Sequence, residues 1–122
     1  MLEIQTRHLS PEIAILEIVG KFTLGNDCKQ LERTTETLLR ENIRKIVIDL
    51  SQVTRIDSTG IGIMMLSSAH VKSAGGELRL AAAQGHVEHI LKTTALHNII
   101  GLYPTAEAAA DFEKARKAES GS

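Results

Sequence analysis

The sequence predicts a single α/β domain built on a mixed, mostly parallel β-sheet with about four helices, and three observations lead there. Hydrophobic periodicity changes along the chain in the order β-β-α-β-α-β-α-β-α. Only the first two strands can then form a tight hairpin, while each later strand needs a helical crossover that returns it parallel to its predecessor. Ile13-Ala14-Ile15-Leu16 offers apolar groups to both faces, and Ile46-Val47-Ile48-Asp49-Leu50 is a continuous β-branched-rich run, as expected of strands covered on two sides. Finally, 122 residues are enough for one core and too few for two ordinary ones.

Leu2 to Arg7 and Ile13 to Val19 read as strands joined across Ser10-Pro11, where proline presets its own φ for a turn. Asn26 or Asp27 is a candidate cap for a helix ending near Asn42, with Cys28, Leu31, Leu38 and Leu39 near one face and a Glu36/Arg40 i,i+4 pair on the other. The strand Ile46 to Leu50 is followed by a connecting loop. Ser58 to Ser73 then reads as a largely buried helix, its apolar Ile61, Met64, Met65, Leu66, Ala69 and Val71 spread over a wide arc and its end marked by Gly75-Gly76. Glu77 to Ala81 alternates as a strand, Gly85 to Thr93 carries Val87, Ile90 and Leu91 as a short amphipathic helix, and Asn98 to Leu102 reads as the last strand. Pro104 stops it, and Thr105 caps a final helix containing Ala108, Phe112 and Ala115. The domain is expected over residues 1–117, with 118–122 a frayed tail that has nothing to bury.

Composition narrows the function. Hydrophobic residues make up 43% and charged residues 24%, the proportions of a globular domain, and a formal net charge of -1 gives no electrostatic reason to expect nucleic acid or an anionic membrane surface as partner. With Phe22, Phe112 and Tyr103 as the whole aromatic set, there is no platform for stacking bases. Cys28 is the single cysteine, which fits a reducing compartment. No signal-peptide pattern and no run of about 18 apolar residues is seen, so cytoplasmic residence without membrane insertion is expected.

The candidate site is Asp57-Ser58-Thr59-Gly60-Ile61-Gly62, at the start of the second helix. A helix N-terminus presents unpaired N–H groups and the positive end of the macrodipole, so Asp57 or Ser58 can cap it. Gly60 and Gly62 each cost roughly 1 kcal/mol against alanine in a helix, which calls for something approaching the backbone closely: close helix packing, a phosphate or a docked protein. On the docking reading the partner-binding residues are Asp57, Ser58, Thr59, Gly60, Ile61 and Gly62, with the exposed side of the following helix completing the face, and a large side chain at Gly60 is expected to weaken binding while leaving stability nearly intact.

These residues resemble the phosphorylation motif of the anti-sigma factor antagonists, small bacterial members of the STAS domain family. Val19-Gly20-Lys21-Phe22, the Ile46 to Leu50 strand and Gly75-Gly76-Glu77-Leu78 fall in that family's order and rough spacing, so the likeness spans about residues 3 to 113. The resemblance implies the STAS α/β fold and a non-enzymatic switch. On that likeness the unphosphorylated chain is expected to bind an anti-sigma factor that is also a serine kinase and so to release a sigma factor. By the same resemblance, phosphorylation at Ser58 is expected to end that grip, and a serine phosphatase to reverse it. One departure stands out: many antagonists carry an acidic residue soon after the glycine matching Gly20, where this chain has Thr23, with Asp27 a possible substitute.

Other readings stay beside this one. The chain could be a STAS subunit of a larger transport or signalling assembly, or a nucleotide-binding domain, since free amides at a helix start hold phosphate. The nucleotide reading lacks both the Gly-x-x-x-x-Gly-Lys pattern and the third glycine of a dinucleotide fingerprint. His86, Glu88 and His89 bring only two imidazoles at i,i+3, and His70 has no evident partner, so neither a metal site nor any cofactor is expected. No histidine can be matched to Ser58 as a base, which leaves no catalytic residues to name. Met64-Met65 reads as core filling, or as an adaptable interface.

Overall fold

The computed structural model describes residues 2–112. Five strands form one sheet in the order β1-β2-β3-β4-β5. They are β1 (Leu2–His8), β2 (Ile13–Phe22), β3 (Lys45–Ile56), β4 (Glu77–Ala81) and β5 (Leu102–Tyr103), interleaved with helices α1 (Lys29–Arg40), α2 (Ser58–Ser73), α3 (Gly85–Thr93) and α4 (Ala106–Ala110). β1 runs antiparallel to β2 and all other neighbours are parallel. The anticipated mixed sheet with four helices is therefore the observed architecture.

Strand alternation sorts the apolar side chains into two layers. Ala14, Leu16 and Ile18 of β2 join Ile46, Ile48 and Leu50 of β3 in the main core, against Leu31 and Leu38 of α1, Met64 and Val71 of α2, and Val87 and Leu91 of α3. On the other face Ile15, Val47 and Ala81 meet Ala106, Ala109, Ala110 and Phe112. Arg79 lies in that second layer although it is only 2% exposed. Its Nε donates to Glu77 at 2.7 Å, its Nη1 donates to the Ala109 carbonyl at 3.1 Å, and its guanidinium carbon sits 3.9 Å from the centre of the Phe112 ring. A buried cation is thus satisfied by a carboxylate, a helix-end carbonyl and an aromatic face.

Several boundaries differ from the sequence reading, each for a physical reason. β3 continues through the segment read as a connecting loop. Val53 and Ile56 are buried, and Gly20, Lys21 and Phe22 of β2 pair with Val53, Arg55 and Ile56 across register shifts at Glu17/Val19 and Gly20/Lys21. Gly20 makes the second irregularity possible, with φ +112°. Neither Asn26 nor Asp27 caps α1: Asn26 donates to the Thr23 hydroxyl, Asp27 pairs with Arg33, and Cys28 stands at the helix boundary without a side-chain cap. Arg40 donates to the Thr37 hydroxyl at 3.4 Å in place of the Glu36 pair.

The last strand is only Leu102–Tyr103, because Leu96–Asn98 turns as a 3-10 helix that ends on residue 98, where a strand was expected to begin. Thr105 does cap α4, accepting the Ala108 N–H at 3.0 Å; that helix ends at Ala110, and after a break at Asp111 the chain is helical again at Phe112. Ala115, the stretch 113–117 of the expected domain and the expected tail 118–122 lie outside the described residues.

Candidate functional site

The C-terminal ends of β2 and β3 lie side by side, Phe22 against Ile56, and the chain turns from Ile56 directly into α2. Asp57 occupies the N-cap in an extended conformation, φ -131° and ψ -173°. Its Oδ1 accepts the Gly60 N–H at 3.1 Å and its Oδ2 accepts the Leu24 N–H at 2.9 Å. One carboxylate therefore caps the helix and also ties the loop after β2 to it. Partial burial pushes this carboxyl up, but N–H groups of Leu24, Gly60 and Thr59 outweigh that and hold it below the ordinary carboxylate range. Cys28 sits close by, donating to the Thr23 carbonyl at 3.3 Å. Burial, then the charges of Asp57 and Asp27, push its thiol up.

Ser58 follows the cap and is exposed, with Thr59 half-buried behind it. The two glycines of the motif have different causes. At Gly60 an added Cβ would lie 2.3 Å from the Phe22 carbonyl oxygen and 2.7 Å from the Phe22 ring, so the close approach comes from the chain's own β2 strand. Gly60 is buried, which corrects the expectation that it could carry a large side chain with stability intact, while Ile61 is half-buried and packs partly against the main core. At Gly62 nothing lies within 4 Å of an added Cβ, and the position is open to solvent.

Beyond Gly62 the exposed side of α2 begins with two large apolar residues and turns polar at His70, Lys72 and Ser73. Met65 is 41% and Leu66 49% exposed, so this helix is not the largely buried one its composition indicated. Together with Ser58, Thr59, Gly62 and Ile63 they line a shallow depression of about 580 Å³. Leu24, 78% exposed, is tied to the start of the same helix by its N–H bond to Asp57. Leu24 is a functional candidate that the sequence does not single out, and Leu66, read there as part of a buried arc, is on the exposed side of the helix expected to meet a partner. The signal was present for Leu24, a large apolar side chain in a Thr-Leu-Gly-Asn turn that had no core to fill. Asp27, weighed as a substitute acid, is engaged with Arg33, and Thr23 accepts from Asn26 within its own turn.

The histidines are dispersed. His86 and His89 are exposed on α3, Glu88 pairs with Lys92 at 3.3 Å, and among the described residues no group of three or more potential ligands could hold a metal ion. No helix among them is long and apolar enough to cross a membrane.

A family model for the STAS domain matches residues 4–109. The chain belongs to the STAS domain family. Over 81 residues it is 31% identical to a Thermotoga neapolitana protein assigned as an anti-sigma factor antagonist, a match covering 66% of this chain and 72% of that protein. Among solved STAS structures, an anti-sigma factor antagonist from Mycobacterium paratuberculosis superposes with a TM-score of 0.77 at 19% identity, covering 89% of this chain and 91% of that one. The phosphorylated form of the Bacillus cell fate determinant SpoIIAA does so with a TM-score of 0.69 at 15% identity, covering 89% of this chain and 97% of the other. These two likenesses are of fold.

Proposed function

We propose that this STAS domain is an anti-sigma factor antagonist acting as a phosphorylation-controlled binding module. The observation that carries the reading is an exposed serine hydroxyl on the first turn of α2, beside an apolar depression built from Gly62, Ile63, Met65 and Leu66. A partner that seats on this depression necessarily covers Ser58, so binding and modification compete for one surface. The partner is an anti-sigma factor with serine-kinase activity, docking releases a sigma factor, and a serine phosphatase resets the chain in the cytoplasm. The relative from Thermotoga neapolitana supports this assignment.

Chemistry explains how phosphate could switch the surface. A phosphoserine carries about -1.5 to -2 charge, and a helix N-terminus stabilises a negative group by roughly 0.3–1 kcal/mol. The isolated domain should therefore tolerate modification. In a docked complex the same group must shed water against an apolar partner surface and stands beside the ionised Asp57, which costs more than the helix end returns. The cap itself needs no rearrangement, because Asp57 and not Ser58 holds the Gly60 N–H. Intact-mass analysis of the chain from its native cells, with fragmentation, tests the modification. A phosphate on the peptide carrying Ser58 is expected, and a chain unmodified in every growth condition would count against the reading.

A further inference from the structure

β1 is the terminal strand of the sheet, and among the described residues nothing pairs with its outer edge. Glu3, Gln5, Thr6, Arg7 and His8 are exposed, while Ile4 packs partly against the main core. An unpaired edge of 7 residues is a template for another strand unless it is blunted, and this one carries neither proline nor an inward-pointing charge.

Its charges are arranged symmetrically. An antiparallel pairing of two β1 strands about a two-fold axis perpendicular to the sheet keeps each side chain on its own face, so the axis must pass midway between a residue and its own copy. The register that overlaps the whole strand Leu2–His8 is centred on Gln5. That same register sets Glu3 opposite Arg7 of the second copy, twice, and Ile4 opposite Thr6. Centring on Ile4 or Thr6 shortens the overlap and leaves Glu3 or Arg7 opposite Gln5. Full overlap and charge complementarity thus select one register. Arg7 already reaches toward Glu17 on the sheet face left open by α4, at 3.9 Å, with its side chain 48% exposed and free donors remaining on the guanidinium. One existing contact touches the end of the strand, a long 3.5 Å bond from Gln30 to the Leu2 carbonyl, outside the Glu3-to-Arg7 centre.

We infer that a second copy of this chain adds to the β1 edge, forming a continuous ten-stranded sheet with the Glu3/Arg7 pairs as its polar lock. The pairing would place the two Ser58 surfaces at opposite ends, because Leu2 pairs with Gly20 near the α2 end of the sheet and the two β1 strands run antiparallel. Both docking faces stay open, so association is independent of the proposed partner.

A strand pair is a small interface, so the dimer should be weak and concentration-dependent. Sedimentation equilibrium of the full chain up to about 1 mM should show reversible dimers that weaken in high salt. Glu3→Lys and Arg7→Glu should each raise the dissociation constant by about tenfold or more, and the double variant should restore it, since the charges are exchanged and not removed. If either single variant fails to fold, Gln5→Lys sets two ammonium groups against each other at the axis and should have the same effect. A wild-type chain monomeric throughout, single variants that dimerise unchanged, or a double variant that stays monomeric would each overturn the inference.

Discussion

Replacing Gly60 and Gly62 separately by alanine separates the two roles that one motif combines. At Gly60 the new methyl falls 2.3 Å from the Phe22 carbonyl oxygen, where carbon atoms do not come closer than 3.0 Å, so strand or helix must retreat by at least about 0.7 Å. The obstacle is backbone and cannot swing aside, which puts the cost toward the upper end of the roughly 1–3 kcal/mol typical of overpacking. The better helix propensity of alanine returns at most about 1 kcal/mol, leaving a net loss near 2 kcal/mol. For a domain of this size that lowers Tm by roughly 5–10 °C. At Gly62 nothing lies within 4 Å, so only the propensity gain remains and Tm should rise by roughly 2–4 °C. Calorimetric melts of both variants decide the matter. Equal stability of the two would refute the packing assigned to Gly60. For the docking surface the informative change is Gly62→Gln, expected to fold normally and to weaken partner binding.

Three further outcomes follow from buried or tethered polar groups. The Ser67 hydroxyl is buried without a hydrogen-bond partner among the described residues, so Ser67→Ala should raise stability by about 1 kcal/mol in urea titrations; a loss would mean the hydroxyl is satisfied in solution. Asp57 has its carboxyl lowered in the folded state, so its stabilisation is complete above the unfolded value near ~3.9 and is lost as pH falls through the lower folded value. Asp57→Asn can still cap but cannot titrate, and denaturation series in acid should show a shallower decline than wild type; parallel acid limbs would contradict the tether. Arg79→Ala removes the bond to Ala109 and the Phe112 contact and should cost about 2 kcal/mol or more, a loss that urea titration measures directly. A neutral result would show that the second layer does not depend on Arg79.

Local chemistry made much of this molecule readable. Gly85 to Thr93 and Glu77 to Ala81 coincide with the observed elements, and Ser58–Ser73 does too, because capping at Asp57 and the Gly75-Gly76 stop are encoded within a few residues. At that stop Gly76 donates to the Val71 carbonyl at 2.9 Å and Gly75 to that of Lys72 at 3.0 Å, the pairing that ends a helix at a left-handed glycine. What escaped depended on distant partners. Ser51 to Arg55 has a loop-like composition and is a strand only because β2, bent at Gly20, reaches it. Arg79 on an alternating strand gave no sign that Ala109 and Phe112 would close over it. At the site, Asp57 and Ser58 could be read as cap candidates from position alone. That Gly60 lies against Phe22, and that Met65 and Leu66 face outward, required the packing of α2 against the sheet.

The proposed switch requires that charge at Ser58 control docking without disturbing the fold. The direct measurement is calorimetric titration of the proposed partner, a serine-kinase anti-sigma factor, using the chain with serine, phosphoserine or Ser58→Glu at this position. All three should melt at nearly the same temperature, and both charged forms should bind at least about tenfold more weakly, a difference of about 1.4 kcal/mol. Ser58→Ala should bind and resist phosphorylation. If the charged forms bind as tightly as the unmodified chain, the switch does not exist, and a constitutive STAS subunit of a larger assembly becomes the better description.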